Sequence, residues 1–192
     1  MRTFSDMAQD LRELSTVDWS TVWPGYAHAD PMTWCAQHGW RLVQLDREEN
    51  LNVGLRSGGQ IYLSQDRRTL TVTSAELDYW RAEAQRPDEN PALFTAAQAA
   101  WSQYMTGATS AVRPPDLVTS YDDPAFPDLP GWTPGERAAR RPLRLAVWRL
   151  TGAAAQLPIS PSDEASTSEP PGSIHIALLL RPADPAEPRG GA

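Results

Sequence analysis

The sequence predicts an α+β domain in which helices pack on one antiparallel sheet. Two capped helical segments come first, alternating apolar residues with short gaps follow from residue 40, and a long apolar-striped helix begins near residue 90. Two or three further strands complete the pattern, so we predict a meander sheet of about six to seven strands in total. A length of 192 residues is sufficient for one domain with its own core.

The first two elements are helices that can be recognised by their caps. A helix over residues 4–14 is predicted because Thr3 and Asp6 have the spacing of a capping pair and apolar residues form one stripe. A second, short helix is predicted to begin at Pro31, since proline suits the first helical position, and to end at Gly39.

From residue 40 the apolar residues recur at every second position, which indicates strands. Leu51, Val53 and Leu55 alternate with polar residues, and only short gaps separate this run from its neighbours. Short gaps predict an antiparallel meander with one solvated face. The predicted strands cover residues 40–46, 50–56, 60–64 and 69–73.

The segment 74–86 is compatible with either a helix or a loop. Thr73 and Glu76 have the spacing to cap a helix at this point. The apolar residues of that helix would be Leu77, Trp80 and Ala84. Its state stays open at the level of the sequence.

The clearest helix has Asn90 as its predicted N-cap and Pro91 at its first position, and it is predicted to stop at Gly107. An apolar residue at every fourth position indicates that one side lies on the sheet. That stripe consists of Leu93, Ala97, Trp101 and Met105. The periodicity also points Trp34 and Trp40 inward, so we assign these two and Trp101 to the core.

Strands return after residue 142. Residues 143–150 alternate, and residues 154–159 can pair with them across a short turn. Residues 174–181 are continuously apolar, which predicts burial on both faces of the sheet. We therefore expect one domain over 1–181, with a Pro/Asp-rich insertion at 108–142, a flexible loop at 160–172 and a disordered tail at 182–192.

Composition limits the classes of function. The net charge is −7 and the pI is about 4.9, so the chain as a whole is unsuited to nucleic acid and suits a basic partner. No run approaches the roughly 18 apolar residues of a membrane helix. The first residues also lack the apolar core of a secretory signal, so we expect a cytoplasmic protein without membrane contact.

Metal-ligand side chains group at one place in the sequence, namely His28, Cys35 and His38. Their spacing matches no zinc signature, and a lone cysteine on a helix is more simply a small buried residue, so we expect neither metal nor cofactor. The sequence contains no Gly-x-Ser-x-Gly elbow and no phosphate-binding glycine loop. We predict no catalytic residues; an enzyme without a local signature is the remaining alternative in that class.

The segment 116–132 combines acidic and aromatic side chains on a proline-rich stretch that carries no positive charge. Acidic residues steer a basic partner, aromatic side chains supply anchors, and prolines lower the entropy cost of ordering. The candidate partner-binding residues are Asp116, Tyr121, Asp122, Asp123, Phe126, Asp128 and Trp132. An ordinary long connection is the other interpretation, because an arginine-rich group over 137–144 follows and could pair with these carboxylates.

The order of elements resembles that of small, uncharacterised actinobacterial α+β proteins. The matching residues are the Gly39-Trp40 step, the helix over 91–106, the strand Val147-Trp148-Arg149-Leu150 and the run from Ala177 to Pro182. The same layout is similar to immunity proteins of toxin systems and to small secretion chaperones. The resemblance implies a non-enzymatic protein that binds one cognate protein, either as an immunity-like inhibitor of a bacterial toxin or, alternatively, as a chaperone for a secreted protein.

Overall fold

The structure, a computed structural model, describes residues 2–26, 29–120, 122–123, 143–161 and 172–183. Over these residues the chain forms three α-helices and one eight-stranded antiparallel sheet, which confirms the predicted α+β class. The helices are α1 (Phe4–Ser15), α2 (Pro31–Gln37) and α3 (Asn90–Ala111). The strands are β1 (Arg41–Leu45), β2 (Leu51–Gly54), β3 (Gln60–Gln65), β4 (Val72–Glu83), β5 (Leu117–Ser120), β6 (Arg144–Leu150), β7 (Ala153–Pro161) and β8 (Ser173–Pro182).

The sheet consists of two four-stranded meanders that meet at its centre. The strand order is β1-β2-β3-β4-β8-β7-β6-β5, and every pair of neighbours is antiparallel. The central pair, β4 and β8, joins strands that are distant in the sequence. The strand count exceeds the predicted six to seven because β5 forms inside the predicted 108–142 insertion and pairs with β6.

The N-terminal helices begin at their predicted caps. Thr3 Oγ1 accepts a 3.2 Å hydrogen bond from the Asp6 backbone N–H, and the Asp6 carboxylate accepts one of 2.8 Å from the Thr3 N–H. These bonds satisfy backbone donors at the start of α1, as a capping box does. At α2 the Asp30 carboxylate accepts the Thr33 N–H at 2.8 Å. Both helices thus start where the local sequence directs them.

Helix α3 carries the predicted stripe, but it starts one residue earlier than predicted and continues beyond its predicted end. Asn90, the predicted N-cap, is its first residue, and its Oδ1 atom accepts the Gly172 N–H at 2.8 Å instead of capping the helix. Leu93, Ala97 and Trp101 are buried, and the Trp101 indole N–H donates a 3.0 Å hydrogen bond to the Leu157 carbonyl of β7. Gly107 lies inside the helix and does not end it; at this position α3 packs closely against α1. A Cβ at this glycine would stand 3.0 Å from the backbone oxygen of the first residue of α1, so the glycine allows contact between the helices.

The segment that the sequence left open, 74–86, is mostly strand. β4 covers Val72–Glu83, and Ala75, Leu77 and Tyr79 are buried on the side of the helices. Both alternatives left open by the sequence, a helix capped at Thr73 and a loop, are therefore wrong for residues 74–83. The strand also starts later than the predicted residue 69, because Leu70 adopts a φ of 56° in the turn after β3. β4 has hydrogen-bonded neighbours on both sides, which decides its conformation.

Two of the C-terminal strands, β6 and β7, pair as predicted. β6 and β7 form a hairpin whose turn places Gly152 at a φ of 75°. β8 is buried on both faces, since Ile176 and Leu178 face the helices while Ala177 faces the opposite side. Pro182 still belongs to β8, so the strand runs one residue into the predicted tail. The rest of that tail from 184 and the loop residues 162–171 lie outside the described residues.

The two faces of the sheet differ. Helices cover one face and form the main core with it. On the opposite face, the β5–β8 half contains a second buried cluster around Leu145 and Val147. The β1–β4 half of the same face carries exposed side chains, among them Val43 and Tyr62. Within the described chain, this half therefore offers a strand-built surface to solvent.

Candidate protein-binding surface

Asp116, the first predicted partner-binding residue, is engaged inside the molecule. Its two carboxylate oxygens accept hydrogen bonds of 2.7 and 2.9 Å from the Arg113 guanidinium. One of them also accepts the Arg149 backbone N–H at 2.6 Å. The hydrogen bonds from Arg113 lower the pKa of Asp116 and outweigh its desolvation. Asp116 thus fastens the start of β5 to β6.

Asp122 and Asp123 follow the other end of β5 and are held locally. The Ser120 hydroxyl donates to the Asp122 carboxylate, which lowers the pKa of Asp122, and Thr119 Oγ1 donates to Asp123 at 3.2 Å. Asp122 is exposed. Because β5 separates Asp116 from these two, the structure does not gather the three aspartates into one patch. The remaining predicted residues, Tyr121, Phe126, Asp128 and Trp132, lie outside the described residues.

A second polar surface was not predicted from the sequence. It lies on the open face of β2, β3 and β4, where Tyr62 stands beside Asn52 on one side and Glu76 on the other in the strand register. Together with Arg2 and Gly58, its side chains line an open depression of about 580 Å³. We name this surface the β2–β4 face; its residues are Asn52, Gln60, Tyr62, Glu76 and Asp78.

Tyr62 is the aromatic centre of the β2–β4 face, and its orientation is held by Asp46. The tyrosine is 40% exposed, and its hydroxyl donates a 2.8 Å hydrogen bond to the Asp46 carboxylate. Desolvation opposes ionisation of Asp46, but hydrogen bonds from Tyr62, Asn50 and Glu48 outweigh it and lower the pKa of Asp46 to about 2. A tyrosine fixed in this way presents its ring at little entropy cost.

Glu76 and Asp78 supply the negative charge of the β2–β4 face. They lie two residues apart on β4, so both side chains project from the same side of the sheet. Burial, followed by the neighbouring charge of Asp78, raises the pKa of Glu76, while Arg181 on β8 acts against this rise. Neither carboxylate forms an ion pair within 4.0 Å with a cation of the described residues. Within the described chain, neither negative charge is therefore compensated by an ion pair.

Arg2 borders the depression, but its charge is compensated. One Nη atom donates to the Asp10 carboxylate at 2.9 and 3.0 Å, and the other donates to the Gly58 carbonyl at 3.0 Å. Asp10 is buried beneath it with 0% exposure. Arg2 therefore lines the depression, but its positive charge is paired with Asp10 and not with Glu76 or Asp78.

The groups of metal-ligand type do not converge within the described chain. Cys35 is buried, and burial, followed by the charge of Asp30, raises its pKa to about 11. His38 lies between the rings of Trp34 and Trp40, at centroid distances of 4.8 and 5.1 Å, and burial lowers its pKa. His28 lies outside the described residues, and no group of three potential metal ligands occurs in the part that is described.

The three tryptophans assigned to the core are buried as predicted: Trp34, Trp40 and Trp101 are each at most 5% exposed. The β2–β4 face was missed because 74–86 was not recognised as a strand. Because this segment is a strand, its side chains alternate between the two faces of the sheet. Ala75 and Leu77 are buried on one face, so the carboxylates of Glu76 and Asp78 lie on the solvated face.

Among the described residues, no helix has the length and apolar character needed to cross a membrane. Comparison with known proteins returned no match: no family model, no curated protein and no solved structure is significantly similar to this chain.

Proposed function

We propose that this chain is a non-enzymatic, cytoplasmic protein that binds one basic protein partner, as an immunity-like inhibitor of a cognate bacterial toxin. The observation that carries the proposal is the β2–β4 face, where an exposed, oriented Tyr62 stands beside the carboxylates of Glu76 and Asp78. The net charge of −7 favours the same class of partner.

Three features of this face support the proposal. An aromatic side chain supplies an anchor, and unpaired carboxylates increase the rate of encounter with a basic surface. The side chains stand on strands with hydrogen-bonded neighbours on both sides, so little ordering is needed when a partner binds. The exposed acidic end of β5, at Asp122, is a second place at which charge could steer the partner.

The test uses the proteins encoded by the genes on either side of this one. Each neighbour is expressed alone and together with this chain, and growth of the host and binding of the purified pair are measured. We expect one neighbour to inhibit growth, this chain to restore it, and a stable complex to form. The Tyr62→Ala variant should weaken that complex by about 1–2 kcal/mol, since truncation of an aromatic anchor costs this much or more.

Two results would contradict the proposal. One is that neither neighbouring product inhibits growth or binds this chain. The other is a complex whose stability and salt dependence are unchanged by Tyr62→Ala together with Asp78→Asn. A matched control is Glu83→Gln, which removes one carboxylate from the same strand, where Glu83 already pairs with Arg81 at 3.6 Å.

The chaperone of a secreted protein is the second candidate, and one observation favours it. The edge strand β1 exposes Val43 and Leu45, at 39% and 41%, next to an unpaired strand edge. However, an irregularity between Leu42 and Gln44 interrupts the ladder, and such bulges protect edges from pairing. Sizing in solution separates the candidates, because an obligate dimer would favour the chaperone.

A further inference from the structure

We infer that the β2–β4 face docks an arginine side chain of the protein partner, with the guanidinium over the ring of Tyr62 and against Glu76 and Asp78. The inference rests on the proposed function and names the contact through which the partner is recognised. Three observations support it: unused hydrogen-bond acceptors, an oriented aromatic ring, and the spacing of the two carboxylates.

The depression offers acceptors that the described residues leave unused. The Oδ1 atom of Asn52 is buried there and accepts no hydrogen bond from them. The carboxylates of Glu76 and Asp78 form no ion pair with the described cations. A buried acceptor without a donor is costly, so this arrangement favours a ligand rich in N–H groups. Guanidinium has five N–H donors and no acceptor.

The ring of Tyr62 is positioned to stack with such a group. Its hydroxyl is held by Asp46 at 2.8 Å, so the ring lies in a fixed direction on the sheet. Glu76 is its direct partner across the β3–β4 ladder. Side chains in such a pair have Cβ atoms about 5 Å apart, so a cation on the ring lies within reach of the carboxylate.

The spacing of the acceptors favours arginine over lysine. Residues two apart on a strand, such as Glu76 and Asp78, are separated by roughly 7 Å. A planar guanidinium, which donates hydrogen bonds from two edges, can reach both carboxylates better than the compact ammonium of lysine can. The chain itself places a guanidinium on an aromatic ring, since Arg144 lies 5.1 Å from the ring centroid of Trp101. Two cations near the face do not pair with its carboxylates: Arg2 pairs with Asp10, and Arg181 makes no ion pair with Glu76 within 4.0 Å.

The experiment titrates the ¹⁵N-labelled full chain with a capped triarginine peptide and follows backbone amide shifts. Capped tricitrulline, the neutral isostere, and capped trilysine are the comparison peptides. We expect the largest shifts at Tyr62, Glu76 and Asp78, and weaker binding of both comparison peptides. Glu76→Gln should raise the apparent Kd for triarginine about threefold, the range measured for exposed charge pairs. Glu83→Gln is the matched control and should leave that Kd nearly unchanged.

Three results would overturn the inference: shifts centred elsewhere on the chain, equal binding of triarginine and trilysine, or equal effects of Glu76→Gln and Glu83→Gln. The titration uses a peptide and not the cognate partner, so a negative result contradicts the arginine contact alone. The proposed function is tested separately by the neighbouring-gene experiment. Conversely, a positive titration does not rescue the proposed function if no neighbouring product binds. The two failures are therefore distinguishable.

Discussion

The Tyr79 hydroxyl donates a 2.9 Å hydrogen bond to the carboxylate of Asp10, which is buried with 0% exposure. The same carboxylate accepts the Ser57 hydroxyl at 2.6 Å and forms an ion pair with Arg2 at 2.9 Å. Asp10 thus joins α1 to β4, to the turn between β2 and β3, and to the N-terminal segment. Since Arg2 also borders the β2–β4 face, this buried contact positions one rim of the proposed docking surface.

Asp10→Asn should destabilise the protein by about 3 kcal/mol, because it leaves buried donors and the Arg2 cation without their carboxylate. The measurement is urea unfolding of both proteins at pH 7. Asp6→Asn, on the exposed capping box of the same helix, is the control and should cost about 1 kcal/mol or less. Equal costs for the two substitutions would show that the Asp10 network contributes no special stability.

Glu76→Gln should stabilise the protein at pH 7 by a few tenths of a kcal/mol, the scale of substitutions at partly exposed sites. The pKa of Glu76 is raised above its ordinary value of 4.5, mainly by burial and then by Asp78, while Arg181 opposes the rise and Tyr62 faces it from β3. The folded state therefore binds this proton more tightly than the unfolded state, and stability is lost as pH rises through the folded pKa.

The measurement for Glu76→Gln is the melting temperature of both proteins at pH 4 and pH 7. The advantage of the variant should be present at pH 7 and shrink as the wild-type carboxyl becomes protonated. A variant that is less stable than wild type at pH 7 would contradict the account. A stability cost at a residue that the proposed function uses is a common property of binding sites.

Cys35 should be unreactive in the folded protein. Its thiol is buried with 0% exposure, and its pKa is raised to about 11, so little reactive thiolate is present at pH 8. Treatment with a thiol-specific chromogenic disulfide at pH 8 should label the native chain slowly and the urea-unfolded chain stoichiometrically. Rapid, stoichiometric labelling of the native chain would show that the α2 region opens readily.

The triple substitution of Asp122, Asp123 and Asp128 by Asn should mainly slow association with a basic partner, because removing negative charge acts chiefly on the rate of encounter. Stopped-flow or surface-binding kinetics at low salt measure this, with the toxin candidate from the neighbouring gene as partner. Asp116→Asn makes a poor test of steering, since that carboxylate already pairs with Arg113. An unchanged association rate would assign the steering charge to the β2–β4 face alone.

Much of the fold could be predicted because its signals are local. Thr3 with Asp6, and the proline at the start of α2, act within one helical turn, so the predicted starts of α1 and α2 are correct. Alternation around Leu51 and Val53 likewise reports burial of one sheet face. The end of α3 was missed because Gly107 serves contact with α1 rather than termination, and that contact is not visible in the local sequence.

The candidate surface could be predicted less well than the fold. Asp116 was selected because it belongs to an acidic segment of the sequence. In the structure its carboxylate binds the Arg113 guanidinium and the Arg149 backbone N–H, so its role is to hold β5 against β6. Glu76 and Asp78 were overlooked because apolar residues in 74–86 fit a helix about as well as a strand. Tyr62 occupies an ordinary polar position of an alternating strand, and only its neighbours distinguish it.

By itself, the sequence determined the α+β class, the caps of α1 and α2, the first three strands of the first meander and the burial of the last strand on both faces. Only the tertiary structure decided that β4 pairs with β8, that β5 completes the sheet, and that Glu76 and Asp78 stand beside Tyr62. The reason is that capping and alternation depend on residues a few positions apart. Strand pairing depends instead on which distant segments supply the other half of the hydrogen-bonded ladder.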